Sequence, residues 1–226
     1  MAQERLNDLE TQGLSAKEVF SRVYREELWG RSGKPEQPFY SGTGSHSKET
    51  TSEYIQKVSE FIKSFNAKPN ALDLGCGDFN VGSQVRQYCA SYIACDIVNE
   101  LIEFNKEKFR TLNVDFRVLD LIEDNLPSAD VVFIRQVLQH LSNEHIKEFL
   151  INLKNKFSWM IVTEHLPFNQ DFTHNLDQHS GHKLRLYSGS GVVLTSPPFN
   201  LSVIEEKVLC EVRDGSGIIK TIAYRL

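Results

Sequence analysis

The sequence predicts a single α/β domain, with a mostly parallel sheet finished by an antiparallel hairpin. Three observations lead there. Between residues 69 and 165, short apolar runs alternate with stretches of helical periodicity, the pattern of strands joined by crossover helices. The C-terminal stretch holds two strand-like runs joined by Arg213-Asp214-Gly215-Ser216-Gly217, whose Asp-Gly step marks a hairpin turn. A chain of 226 residues suffices for one core of this kind and little more.

Taken in order, the polar start MAQERLNDLE reads as a frayed, weakly helical segment. Ser15-x-x-Glu18 is a capping-box pattern, and Val19, Phe20, Val23, Tyr24 and Leu28 follow at helical spacing, which predicts a helix ending near Trp29-Gly30. Residues 30–47, rich in glycine and holding Pro35 and Pro38, read as loop. A second helix is expected from Thr50-x-x-Glu53, with Tyr54, Ile55, Val58, Phe61, Ile62 and Phe65 on its apolar face. Residues 1–50 thus form an N-terminal helix and a glycine-rich segment able to fold over a site as a lid, and residues 51–226 form the main domain.

Strands are expected at 71–74, 92–95, 115–119, 130–134 and 159–163, with helices at about 80–89, 99–110 and 143–156. The hairpin adds strands at 202–212 and 218–225, making seven, with helices on both faces of the sheet. The intervening 166–200 stretch is long, irregular and carries Pro167, Pro197, Pro198, Gly181, Gly189 and Gly191. A segment of that kind inside a compact domain is functional or mobile, and it reads as an insertion shaping a substrate pocket.

The formal net charge of −5 and the absence of a basic stripe speak against a nucleic-acid partner. The four cysteines form no C-x-x-C pair and fit reduced thiols in a cytoplasmic setting. No apolar run approaches the ~18 residues of a membrane span, and the start lacks a secretory leader's apolar core. His174, His179 and His182 are too loosely spaced to suggest a metal site, so none is expected.

The chemistry centres on Leu72-Asp73-Leu74-Gly75-Cys76-Gly77-Asp78-Phe79-Asn80, where the first strand ends and a helix begins. Glycines at such a turn let the backbone bend sharply and approach a ligand. Asp96 ends the second strand, about 20 residues on, where an acid can accept both ribose hydroxyls of an adenosine cofactor. Asp120 ends the third, placed to accept from an adenine amino group while Leu121 donates from its backbone. One acid at a strand end is unremarkable; three at successive strand ends point to a shared ligand. A dinucleotide fold would want G-x-G-x-x-G, but Asn80 stands at the third glycine's place, and Asp78 would repel a pyrophosphate while tolerating a cationic sulfonium. Asp78 reads equally well as the N-cap of the following helix.

With these motifs in place, residues 69–165 resemble a class I S-adenosylmethionine-dependent methyltransferase, a Rossmann-like fold. Asp73-Leu74-Gly75-Cys76-Gly77 is similar to that family's glycine-rich first motif, Asp96 to its acidic second motif and Asp120 to its adenine-side motif. The run from Ala129 to Leu141, ending Val137-Leu138-Gln139-His140-Leu141, resembles its fourth-strand segment, and Phe39-Tyr40-Ser41-Gly42-Thr43-Gly44-Ser45 resembles the loop preceding the core in a small bacterial subgroup. The resemblance implies S-adenosyl-L-methionine as cofactor, with Asp73, Gly75 and Gly77 around its methionine part. It implies Cys76, Asp96, Ile97, Asp120, Leu121 and Gln136 as further cofactor contacts. The chain departs from the family at Phe79, where many members have a third glycine, so Phe79 is expected to alter one wall of the site.

The remaining candidates lie on the acceptor side. His140, just past the fourth strand, is a candidate general base. Tyr40, His46, Glu164, His165 and Arg185 are candidate substrate contacts, and Trp29 either belongs to the lid or anchors the first helix. Ser196-Pro197-Pro198-Phe199 follows the fifth strand rather than the fourth and reads as a rigid loop. The expected reaction is O- or N-methylation of a small-molecule acceptor. Its rivals are a non-catalytic cofactor-binding protein and a nicotinamide dehydrogenase.

Overall fold

The computed structural model describes residues 13–153, 156–169 and 171–226; the frayed start expected at 1–10 lies outside them. Seven strands form one sheet: β1 Asn70–Leu74, β2 Ser91–Asp96, β3 Asp115–Val118, β4 Val131–Arg135, β5 Trp159–Pro167, β8 Glu205–Asp214 and β9 Gly217–Arg225. Two short strands, β6 Thr173–His174 and β7 Ser190–Gly191, pair separately. The order is β3-β2-β1-β4-β5-β9-β8, parallel through β5 and antiparallel in the last three. The chain runs outward from β1 through β2 to β3, then returns to place β4 on the other side of β1. That reversal opens a crevice at the carboxyl ends of β1 and β4, where such sheets bind ligands.

The strand residues face two cores in strict alternation. On β4, Val131 and Phe133 join one cluster and Val132 and Ile134 the other; on β5, Ile161 faces the first and Met160 and Val162 the second. Because both faces are covered, these central strands read as continuous apolar runs. Helix α2, Lys48–Lys63, covers one face through Tyr54, Val58, Phe61 and Ile62. Helix α5, Asn143–Asn152, covers the other through Ile146 and Phe149, its N-terminus capped by Ser142, which accepts from the His145 N–H at 3.2 Å. Helix α4, Asn99–Lys108, buries Leu101, Ile102 and Asn105. Helix α1, Ala16–Arg25, starts at the expected capping box, with both reciprocal bonds between Ser15 and Glu18 formed.

Several boundaries differ from expectation. Helix α1 stops before Leu28, because Glu27 turns the chain with φ +55°. Helix α2 starts earlier, with Ser47 as N-cap; the Thr50 hydroxyl is not a cap and donates back to the carbonyls of Gly44 and Ser47. The helix expected at 80–89 is one α turn, α3 Gly82–Val85, continued by a 3-10 turn at Arg86–Tyr88. The 166–200 stretch is built rather than structureless. The Asn175 side chain accepts from the Val193 N–H at 2.8 Å and donates to the Val193 and Pro197 carbonyls, and the buried Arg185 guanidinium donates to the Leu176 and Leu141 carbonyls. All four cysteines are unpaired, and among the described residues no helix is long and apolar enough to cross a membrane.

Phe79 overturns the expectation that it walls the site. It adopts φ +59°, the conformation a glycine would take freely, yet its ring is fully buried edge-on against Tyr92, Phe109 and Phe116. Losing a buried Phe costs about 3–5 kcal/mol, whereas relieving a left-handed residue returns about 1–2 kcal/mol. Phe79→Gly is therefore expected to lower unfolding free energy by about 2–3 kcal/mol in a denaturant titration. A ring lining the site would instead leave stability nearly unchanged.

Candidate functional site

The bend after β1 is held open by what packs around it. Gly75 and Gly77 sit at φ +70° and +56°. A Cβ on Gly75 would lie 2.5 Å from Val137 Cγ2, and one on Gly77 2.4 Å from Ser41 Oγ, so neither position has room for a side chain. The Gly77 N–H donates to Asp96 Oδ2 at 3.0 Å, the Val98 N–H donates to Asp96 Oδ1 at 3.1 Å, and Asn105 Nδ2 donates to the Gly77 carbonyl at 2.7 Å. The acid at the tip of β2 thus also fixes the bend after β1.

A cavity of about 500 Å³ lies over this bend, within the range of small-molecule sites. Every residue expected at the cofactor lines it: Asp73, Gly75, Cys76 and Gly77 from the bend, Asp96, Ile97, Asp120 and Leu121 from the next two strand tips, and Gln136 after β4. Asp73 receives the Tyr92 hydroxyl at 3.0 Å, yet burial pushes its carboxyl up to about 7. Burial likewise lifts Asp96 to about 6, against the opposing pull of the Val98 and Gly77 amides. Asp120 is half-buried and accepts from the Ile122 N–H at 2.8 Å. Gln136 sits at φ +55°, its amide oxygen accepting from Arg135 at 3.0 Å. A side-chain-free cradle beside strand-tip carboxylates with lone pairs to spare fits an adenosine-bearing sulfonium cofactor.

The N-terminal segment is stitched onto this bend by side-chain hydrogen bonds. Ser41 and Asp78 exchange hydrogen bonds, the Ser41 N–H to Asp78 Oδ2 at 3.1 Å and the Asp78 N–H to Ser41 Oγ at 2.9 Å. Tyr24 meets Ser41 Oγ at 2.9 Å, Asn80 Nδ2 donates to the Ser45 carbonyl at 2.7 Å, and Arg135 donates to the Gly44 carbonyl and Ser45 Oγ. Asp78 is not the helix cap: α3 is preceded by Val81, and Asp78 closes a local turn by accepting from the Asn80 N–H at 3.2 Å. His46 bonds Asp78 Oδ2 at 2.6 Å and stacks on Tyr40; neither ring is part of the cavity wall, because both are occupied in this seam. Asn105 left one legible trace, a polar residue at helical spacing from Leu101 on an apolar face.

The far half of the cavity lies over β4, β5 and β9. His140 and His165 line it, both nearly buried, and so does Trp29, whose ring centroid is 5.0 Å from that of His140 and whose Nε1–H donates to the His182 carbonyl at 3.3 Å. Gln139 connects the two histidines. The His165 backbone N–H can only donate, so the atom 2.9 Å away is Gln139 Oε1. The other amide atom, Nε2, is then a donor that faces His140 Nε2 at 3.4 Å, a long contact made when that ring nitrogen carries the lone pair. Burial pulls His140 down to about 4, so the ring is neutral. Glu164 and Arg185 do not line the cavity. Glu164 accepts from the Leu138 N–H at 3.2 Å and is lifted by burial to about 8, and Arg185 is committed to backbone carbonyls. Of the three loop histidines only His182 reaches the cavity, and among the described residues no three His, Cys, Asp or Glu side chains cluster as metal ligands. Ser196–Phe199 lie outside its wall.

The sheet order and the crevice at its switch point give an α/β protein with the fold of solved methyltransferases. The N-methyltransferase NodS of Bradyrhizobium japonicum WM9, crystallised with S-adenosyl-L-homocysteine, matches with a TM-score of 0.65 over 92% of this chain and 98% of that one, at 11% identity. A SAM-dependent methyltransferase of Leishmania major matches at 0.63 over 93% and 83%, at 14% identity. Magnesium protoporphyrin IX methyltransferase, ChlM, of Synechocystis PCC 6803 matches at 0.60 over 95% and 99%, at 13% identity. At these identities the likeness is one of fold. No curated protein matches by sequence. Residues 72–156 match a family model described as a methyltransferase domain, a span that contains the glycine bend, Asp96, Asp120 and His140. With that match on the fold and site above, residues 72–156 form a methyltransferase domain, and the chain has the fold of S-adenosylmethionine-dependent methyltransferases.

Asp73 offers a test of the site's electrostatics. Its ordinary value is 3.8, and in the folded chain it keeps its proton to about pH 7. Between those limits the folded state binds more protons than the unfolded, so this carboxyl lowers stability as pH rises from about 4 to 7. Asp73→Asn still accepts from Tyr92 but cannot ionise. Denaturant titrations should show the variant gaining on the wild type between pH 4 and pH 8; equal gains or losses at both would contradict the burial of this acid.

Proposed function

We propose that the protein transfers a methyl group to the oxygen or nitrogen of a small-molecule acceptor, with His140 as general base. The observation that carries this reading is that one cavity runs from the three strand-tip acids to a neutral, nearly buried imidazole at the end of β4. Asp96 would hold the ribose hydroxyls, Asp120 the adenine amino group, and Asp73 with the Gly75–Gly77 backbone the methionine part. The bound cofactor supplies a methyl already activated on a sulfonium.

The protein's own work is then alignment, exclusion of water and removal of one proton. The seam between Ser41, Asp78 and Asn80 roofs the glycine bend and keeps water from it. Val137 packs against Gly75, fixing the turn that carries His140 relative to the bend. An acceptor hydroxyl or amine reaching His140 Nε2 would displace the long Gln139 contact and surrender its proton there. The shared fold with NodS, an N-methyltransferase, and ChlM, a magnesium protoporphyrin IX methyltransferase, supports a small-molecule acceptor. The acidic balance of the chain favours such an acceptor over nucleic acid.

His140→Gln is expected to lower kcat about 100-fold, within the range for loss of a general base, while leaving S-adenosylhomocysteine affinity unchanged. With His140 held near 4, the kcat profile of the wild type should show no fall between pH 8 and pH 5 from loss of this base. A kcat unchanged in the variant, measured by methyl transfer to any turned-over acceptor, would remove His140 from the chemistry.

A further inference from the structure

The two halves of the cavity differ in chemistry. The cofactor half carries Asp73, Asp78, Asp96 and Asp120. The single arginine or lysine among the described lining residues is Arg135, whose guanidinium donates to the Gly44 carbonyl, Ser45 Oγ and Gln136 Oε1. The far half is walled by Trp29, Phe20, His140, His165, Leu184 and Leu186, and Asp214 in the hairpin turn is its one carboxylate. The Trp29 ring is fixed in position because its N–H is spent on the His182 carbonyl. His165 is likewise fixed, its Nε2 3.1 Å from the Asp214 carbonyl, to which it can only donate.

An anionic acceptor in the far half would meet Asp214 and no arginine or lysine among the described residues there, with Arg135 and the cofactor's sulfonium at the other end as its counter-charges, which is costly. A protonated amine would have to sit beside the cofactor's sulfonium and lose a proton before attacking. A flat, uncharged molecule would stack on the indole and bring one protic group to the imidazole.

We infer that the acceptor is an uncharged planar hydroxy compound, a phenol or enol, lying against Trp29 with its hydroxyl toward His140 Nε2. This rests on the methyl-transfer reading above and narrows it to O-methylation. In the step, the hydroxyl oxygen's electron pair forms a bond to the methyl carbon and the carbon–sulfur pair stays on sulfur. The proton passes to His140 Nε2 and from there to water.

The test uses the full chain saturated with S-adenosylhomocysteine and three probes of one shape: 2-naphthol, 6-hydroxy-2-naphthoate and 2-naphthylmethylamine. Binding is read by calorimetry and by quenching of Trp29 fluorescence; Trp159, packed against Phe61 and Phe65, supplies a constant background. The naphthol is expected to bind at least 10-fold more tightly than either charged analogue, and to yield the methyl ether when S-adenosylmethionine replaces the product. Trp29→Ala should weaken naphthol binding at least 10-fold without altering S-adenosylhomocysteine affinity, and Trp29→Phe should restore it. Equal or tighter binding of the carboxylate or the ammonium overturns the inference, as does naphthol binding indifferent to Trp29→Ala or no binding of naphthol at all. If S-adenosylhomocysteine itself fails to bind, the methyl-transfer reading falls, and the same three titrations on the free protein still decide what the far half accepts.

Discussion

The site depends on one buried carboxylate holding a bend that has no side chains. Asp96 accepts from the amides of Gly77 and Val98, tying the turn after β1 to the turn after β2. Everything else at the carboxyl edge is placed relative to that tie. Val137 can approach Gly75 only because no Cβ stands there, and Ser41 can reach over Gly77 for the same reason. The bend, the segment over it and the turn that carries His140 therefore share a single backbone geometry, and two glycines at positive φ make it available.

Burial sets the electrostatics of this arrangement. The carboxyls of Asp73 and Asp96 are raised and the imidazole of His140 is lowered by the same loss of solvent. The result is a cavity in which Asp73 and Asp96 resist ionisation and His140 stays neutral. That polarity suits a sulfonium cofactor at one end and an uncharged acceptor at the other. The N-terminal segment is tied to this edge by hydrogen bonds to Asp78 and Asn80 and by aromatic packing of Tyr24 and Phe39.

Much of this was legible in the sequence. Apolar runs located the central strands β1, β4 and β5, because strands buried on both faces leave no other composition open to them, and the Asp-Gly turn located the C-terminal hairpin. The glycine bend and its acids were readable because strand ends need few residues to declare themselves. Phe79, Tyr40, His46, Glu164 and Arg185 were not, since a side chain's direction depends on packing from elements distant in the chain. Phe79 turned into an aromatic cluster formed with Phe109 and Phe116, and Arg185 was claimed by carbonyls of Leu141 and Leu176. Ser41 and Gln139 act through backbone partners far along the chain, which no local pattern reveals.

The most direct measurement is a calorimetric titration of the wild-type chain with S-adenosylhomocysteine and, separately, with NAD. The account predicts saturable binding of S-adenosylhomocysteine at one site per chain and no heat from NAD. Binding of NAD alone, or of neither, would contradict it.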